Sequence, residues 1–186
     1  MILTPNNEII ITPPHTGSRN LQNSLATPVY NCKIILGQTI GGVVDHHYNK
    51  LPSEWWQYPA YLVVRNPYDR LIGLYLHYRW ACENKFNIEP LSWPDFVAWE
   101  ENPNWIYRTS ITKYMGYSNI KEYNIIRYEN LQEEINNLFG QDVNLIPPYH
   151  DKHDTKSWYQ DSQFINYVNT FFAEEDCRMY NYELFN

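Results

Sequence analysis

One stretch constrains the fold more than any other: Ala60 to Trp80, AYLVVRNPYDRLIGLYLHYRW. Its opening, Tyr61 to Val64, is a short apolar run rich in β-branched residues, the pattern of a buried strand. Asn66-Pro67 then ends the strand and opens a helix. Asn66 suits the N-cap, Pro67 the first helical position, and Asp69 puts a carboxylate in the first turn. Leu71, Ile72, Leu74, Tyr75 and Tyr78 recur at helical spacing and predict a core-facing stripe. Arg65 therefore falls at the carboxyl end of a strand, beside a helix N-terminus. In open α/β sheets that is where anionic ligands bind. A surface arginine paired to Asp69 is the competing reading of the same residue.

The amino-terminal segment repeats the layout. Glu8 to Thr12 (EIIIT) predicts a first short buried strand, stopped by Pro13-Pro14. His15, Thr16, Gly17 and Ser18 form a loop, and Arg19 to Leu25 begins a helix with Ser18 near its cap. Gly17 lets backbone approach a ligand closely, and the first helical turn offers N–H donors to an anion. An ordinary strand-to-helix turn is the plainer reading. The loop lacks GxxxxGK[ST] and is not a Walker A loop.

Further along, Asn31 to Gly37 predicts a second strand, and Gly41 to Val44 leads into Asp45-His46-His47. The two histidines can be surface residues or a catalytic base. A metal site is disfavoured, because neighbours on an extended chain point apart and no spaced partner is evident. Cys82 to Glu89 reads as loop. Ser92 and Asp95 form a capping box ahead of a short helix to Glu101. Tyr123 to Tyr128 predicts another strand. A helix from Glu129 to Phe139 comes next, with Leu131, Ile135 and Leu138 on one face and Gly140 ending it. Trp158 to Phe172 and Ala173 to Tyr180 read as closing helices.

Composition narrows the function. The 186 residues predict one domain, 1–186, with a sizeable core. Net charge is −7, from 14 basic and 21 acidic residues, which argues against a nucleic-acid partner. Local cations and backbone N–H groups can still hold an anionic cofactor. The 17 tyrosines can be core residues with hydrogen-bonded hydroxyls, so their number is no binding signal. Cys32, Cys82 and Cys177 are widely spaced, without a CxxC pattern that would point to zinc or redox chemistry. No apolar run is long enough to span a bilayer, and Met1 opens a polar segment without a leader pattern. The expectation is a soluble protein of a reducing, cytoplasmic compartment, without a membrane partner.

Several of these segments resemble the sulfotransferases that use 3′-phosphoadenosine 5′-phosphosulfate (PAPS). RNPYDRLIGLY resembles their 3′-phosphate-binding segment: Arg65, Asn66, Pro67 and Arg70 match, and Gly73 stands where the family has serine. Pro14 to Ser18 resembles their 5′-phosphosulfate loop: Pro14, Gly17 and Ser18 match, with His15 in place of lysine and Arg19 in place of a hydroxyl residue. A histidine ahead of a Leu-Pro, here Leu51-Pro52, resembles the family's base. RYENL at Arg127 to Leu131 and the carboxyl-terminal FFAEEDCRMYNYE also resemble family segments, the latter with Asn181-Tyr182 for Gly-Tyr.

The resemblance implies a three-layer α/β fold, a parallel sheet flanked by helices, related to P-loop nucleotide kinases. The alternation of strands and helices independently supports the α/β class. It further implies sulfuryl transfer from PAPS to a hydroxyl of a carbohydrate or small-molecule acceptor, without a metal. His46 or His47 would be the base, with His46 preferred at the expected strand end, and His15 would stabilise the leaving phosphate. Contacts to PAPS are implied for Pro14, His15, Thr16, Gly17, Ser18, Arg19 and Asn20 in the loop and helix start. Arg65, Gly73 and Lys152 complete that set. The alternative is a catalytically impaired PAPS- or nucleotide-binding protein of the same fold, for which the departures at His15 and Gly73 speak. A kinase-like phosphotransferase is disfavoured by the missing Walker lysine.

Overall fold

The computed structural model describes residues 1–35, 39–40, 43–44, 51, 53–98, 110–115, 123–146, 157–170 and 174–185. In chain order the strands are β1 (Ile2–Leu3), β2 (Ile9–Ile11), β3 (Lys33–Ile34), β4 (Thr39–Ile40), β5 (Val43–Val44), β6 (Ala60–Val64) and β7 (Asn124–Arg127). The α-helices are α1 (Ser18–Leu25), α2 (Pro67–Ala81), α3 (Trp93–Ala98), α4 (Ile111–Met115), α5 (Leu131–Phe139), α6 (Ser162–Val168) and α7 (Glu174–Tyr180). The chain divides into two compact units, Met1–Arg65 with Ile111–Lys152, and Asn66–Ser110 with His153–Asn186. Among the described residues no helix is long and apolar enough to cross a membrane.

The first unit is an α/β layer built on a five-stranded sheet of order β3-β1-β2-β6-β7. Its central feature is three parallel strands: Ile10 pairs with Tyr61, and Val64 with Arg127. Ile9, Ile10, Ile11, Leu62, Val63 and Val64 are all fully buried, as parallel strands covered on both faces must be. Ile2, Ile10, Val63 and Ile126 pack with Leu21 and Leu25 of α1 and with Leu131 and Ile135 of α5. Each such side chain contributes about 1.5–3 kcal/mol on full burial, so this packing outweighs any single helix cap.

The sheet is mixed, where the resemblance implies a parallel one. β1 runs antiparallel to both β2 and β3. The cause is a tight reversal at Thr4–Glu8. Asn7 adopts φ 59°, the Thr4 N–H donates to the Glu8 carbonyl, and the Glu8 N–H donates to Thr4 Oγ1. Asparagine tolerates that left-handed backbone better than most residues. Ile2–Leu3 is too short to show a period in sequence. Of the strand expected over Asn31 to Gly37, Lys33–Ile34 forms the strand and Ile35 exchanges hydrogen bonds with Met1, with Leu36 and Gly37 outside the described residues.

The second unit is helical. Asn66 caps α2 as expected, its side chain accepting from the N–H groups of Tyr68 and Asp69, with Pro67 in the first turn. Leu71, Ile72, Leu74 and Tyr75 are buried. Tyr75 packs against Trp93, Phe96 and Trp158 at ring separations of 5.2–5.4 Å, and its hydroxyl donates to the Leu91 carbonyl. The buried Tyr68 hydroxyl bonds Asn169 and accepts from the Phe185 N–H. Much of the tyrosine content is thus core, with its polar end satisfied.

Two expectations for this unit are corrected. Cys82–Phe86 is a π-helical turn continuing α2 rather than a loop, closed by an Asn87 N–H to Cys82 carbonyl bond. Arg79 pairs with Glu83 at 3.6 Å and Asn84 Nδ2 donates to the Trp80 carbonyl, local contacts that carry the helix past its apolar stripe. The helix expected over Trp158 to Phe172 is interrupted at Asp161. Its carboxylate accepts from the N–H groups of Gln163 and Phe164 and so starts α6 afresh after a 3₁₀ turn at Trp158–Gln160.

Candidate functional site

Within the first unit, the carboxyl ends of β2, β6 and β7 lie side by side, and the segments leaving these three strands meet there. After β2 comes the loop Thr12–Gly17. The Thr16 hydroxyl donates to the Pro13 carbonyl at 2.7 Å, and the Thr16 N–H reaches the same oxygen at 3.3 Å. Thr16 is fully buried, so its hydroxyl shapes the loop from inside. His15 at φ 61° and Gly17 at φ 84° both have left-handed backbone. At His15 that is unfavourable by on the order of 1–2 kcal/mol, which the surrounding contacts must offset.

Gly17, not Ser18, is the N-cap of α1, and it offers no side chain to the first turn. That turn contains no acidic residue. Ser18 is 8 % exposed. Arg19 is exposed, and Asn20 Oδ1 accepts from Ser24 Oγ one turn on. Pro14 is buried and His15 half-buried. His15 to Arg19 thus bring a helix N-terminus, a largely buried serine, an imidazole and an exposed guanidinium into five consecutive residues, a donor-rich setting suited to an anion.

After β6 comes Arg65. Its Nη1 donates to the His15 carbonyl at 3.4 Å, and its Cζ lies 4.4 Å from the centre of the Tyr128 ring. The expected competitor, Asp69, accepts instead from the Tyr159 hydroxyl at 2.8 Å. Among the described residues no carboxylate lies within 4.0 Å of the Arg65 guanidinium.

After β7 comes Tyr128, which opens a 3₁₀ turn at Tyr128–Asn130 ahead of α5. A Cβ at position 17 would stand 2.7 Å from Tyr128 Cε2 and 3.5 Å from Leu131 Cδ2. Glycine is therefore required at position 17 twice over, by its backbone angle and by the ring beside it. Sequence reasoning assigns no role to Tyr128. Its signal is present in RYENL, as an aromatic residue directly following a strand, but nothing local says what the ring meets. Glu129 is exposed in the same turn.

The structure joins Arg65 to the His15 carbonyl and to the Tyr128 ring, and the same ring lies against Gly17. Gly73 lies within α2, in the second unit. His46, His47 and Lys152 lie outside the described residues. Among the described residues no group of histidine, cysteine or acidic side chains is arranged to hold a metal ion. Compared with protein-family models and with curated proteins, the chain matches none.

Proposed function

We propose that the protein is a PAPS-dependent sulfotransferase, acting on a hydroxyl of a carbohydrate or other small molecule. The observation that carries this reading is the meeting of the two segments that the resemblance assigns to the nucleotide's anions. Arg65 is bonded to the carbonyl of His15, next to the uncapped first turn of α1. A nucleotide with a 3′-phosphate and a 5′-phosphosulfate presents two anions, and the two segments supply separate donors for them. Arg65 would bind the 3′-phosphate, and the backbone of Gly17 and Ser18, the Ser18 hydroxyl and His15 the 5′-phosphosulfate.

In the reaction the acceptor oxygen attacks sulfur in line. The bond from sulfur to the phosphate oxygen breaks, and its electron pair leaves with 3′-phosphoadenosine 5′-phosphate. The acceptor's proton passes to His46 or His47. Positioning and electrostatic stabilisation would supply most of the rate enhancement, as in phosphoryl transfer. The reading carries with it the sulfotransferase form of the nucleotide-kinase-like fold and a cytoplasmic setting.

Incubation with radiolabelled PAPS and a pool of hydroxylated acceptors tests it. Label moving to any acceptor is the expected result. Binding without transfer would favour a nucleotide-binding protein without turnover, and preference for ATP would remove the reading altogether.

A further inference from the structure

Tyr128 touches both halves of the candidate site. Its Cδ2 and Cε2 lie against Gly17, and its face lies 4.4 Å from the Arg65 Cζ. It reaches them from a third element, the turn after β7. The ring is half-buried and belongs to the packing around α1, α5 and the sheet, so it is itself held in place.

We infer that Tyr128 is a positioning residue that seats the Arg65 guanidinium at a set place relative to the α1 N-terminus, and that 3′-phosphate selectivity depends on this seat. The inference rests on the sulfotransferase reading of the site. An arginine side chain is long, and ordering it on ligand binding is entropically unfavourable. Here the aromatic face attracts the guanidinium, and the His15 carbonyl engages one end through Nη1. The remaining N–H groups of the planar fork are thereby pre-oriented for a phosphate. The same ring bars any side chain at position 17, so the guanidinium and the α1 first turn share one support. The interaction needs an aromatic face and does not need the phenol oxygen.

Calorimetry on the full chain tests this with two probes, 3′-phosphoadenosine 5′-phosphate and adenosine 5′-phosphate, read as the ratio of their affinities. Ring contacts with parts common to both nucleotides cancel in the ratio, and so does a general loosening of the fold. The parent should prefer the 3′-phosphorylated nucleotide. Tyr128→Phe should keep the ratio. Tyr128→Leu, which retains apolar bulk without the aromatic face, should lower it by about threefold to tenfold. If Tyr128→Leu does not fold, Arg65→Lys supplies the second arm, because it keeps the charge but loses the planar group that stacks. It should lower the ratio as well. A parent that prefers the 3′-phosphate while Tyr128→Leu or Arg65→Lys keeps the full ratio overturns the positioning role and leaves the anion site standing. A parent that binds both nucleotides equally overturns the site reading, and this inference with it.

Discussion

Gly17 and Tyr128 are packed so closely that a methyl group on residue 17 would stand 2.7 Å from the Cε2 of the ring. At φ 84° the position is also one that L-residues rarely adopt. Gly17→Ala should therefore lower stability by on the order of 1–3 kcal/mol, combining backbone strain with displacement of the ring. Urea denaturation measures this. A variant as stable as the parent would mean that the loop and the turn after β7 do not meet as described.

Arg65→Ala should weaken binding of 3′-phosphoadenosine 5′-phosphate by about tenfold to a hundredfold, the effect of losing a charge-assisted bond in a partly desolvated site. Binding of adenosine 5′-phosphate should change little. Calorimetry on both nucleotides separates the outcomes, and equal losses would deny Arg65 its assignment to the 3′-phosphate.

His15 stands where the resembled family has lysine, and its charge depends on pH. Imidazole has a reference pKa of about 6.5, and a bound phosphosulfate favours the protonated form. Because a bound anion favours the protonated imidazole, PAPS affinity should weaken from mildly acid to mildly alkaline conditions. His15→Lys should flatten this dependence. Arg19 adds a permanent charge on the same turn, but it is exposed and therefore screened. Arg19→Ala should steepen the dependence. A parent profile that is flat, and stays flat without Arg19, would mean that His15 does not contact the phosphosulfate.

Burial, and secondarily the Asp176 carboxylate, push the Cys177 thiol from 9.0 up to about 11. The folded state therefore favours the neutral thiol. Its contribution to stability is fully present below about pH 9 and is lost as pH rises through about 11. The urea midpoint of the parent should fall over that window. Cys177→Ala starts from a lower midpoint, because it leaves a cavity, but should lose less across the same range. Parallel curves for the two proteins would show that the thiol does not ionise with unfolding.

Much of the local structure was legible in the residues themselves. Asn66, Pro67 and Asp69 announce the start of α2 because capping bonds and proline's fixed φ act over three or four residues. Gly140 ends α5 in left-handed backbone for a similarly local reason. The continuous apolar runs Ile9–Ile11 and Tyr61–Val64 announced buried strands, since strands covered on both faces lack polar alternation; the structure pairs them in parallel. At the site, Gly17 and Arg65 stood out through the turn and strand-end positions they occupy.

Tertiary structure alone decided what those elements meet. The antiparallel β1 turns a parallel sheet into a mixed one through a strand of two residues, too short to carry any period. The π-helical turn at Cys82–Phe86 and the restart of helix at Asp161 depend on side chains such as Arg79, Glu83 and Asp161 finding specific partners. The contact of Tyr128 with Gly17 and Arg65 joins residues far apart in the chain, and it exists because β7 lies beside β6 and β6 beside β2. Steric and capping preferences act between near neighbours and so can be read from them. Strand order is set by the burial of whole faces, and no short stretch of sequence contains it.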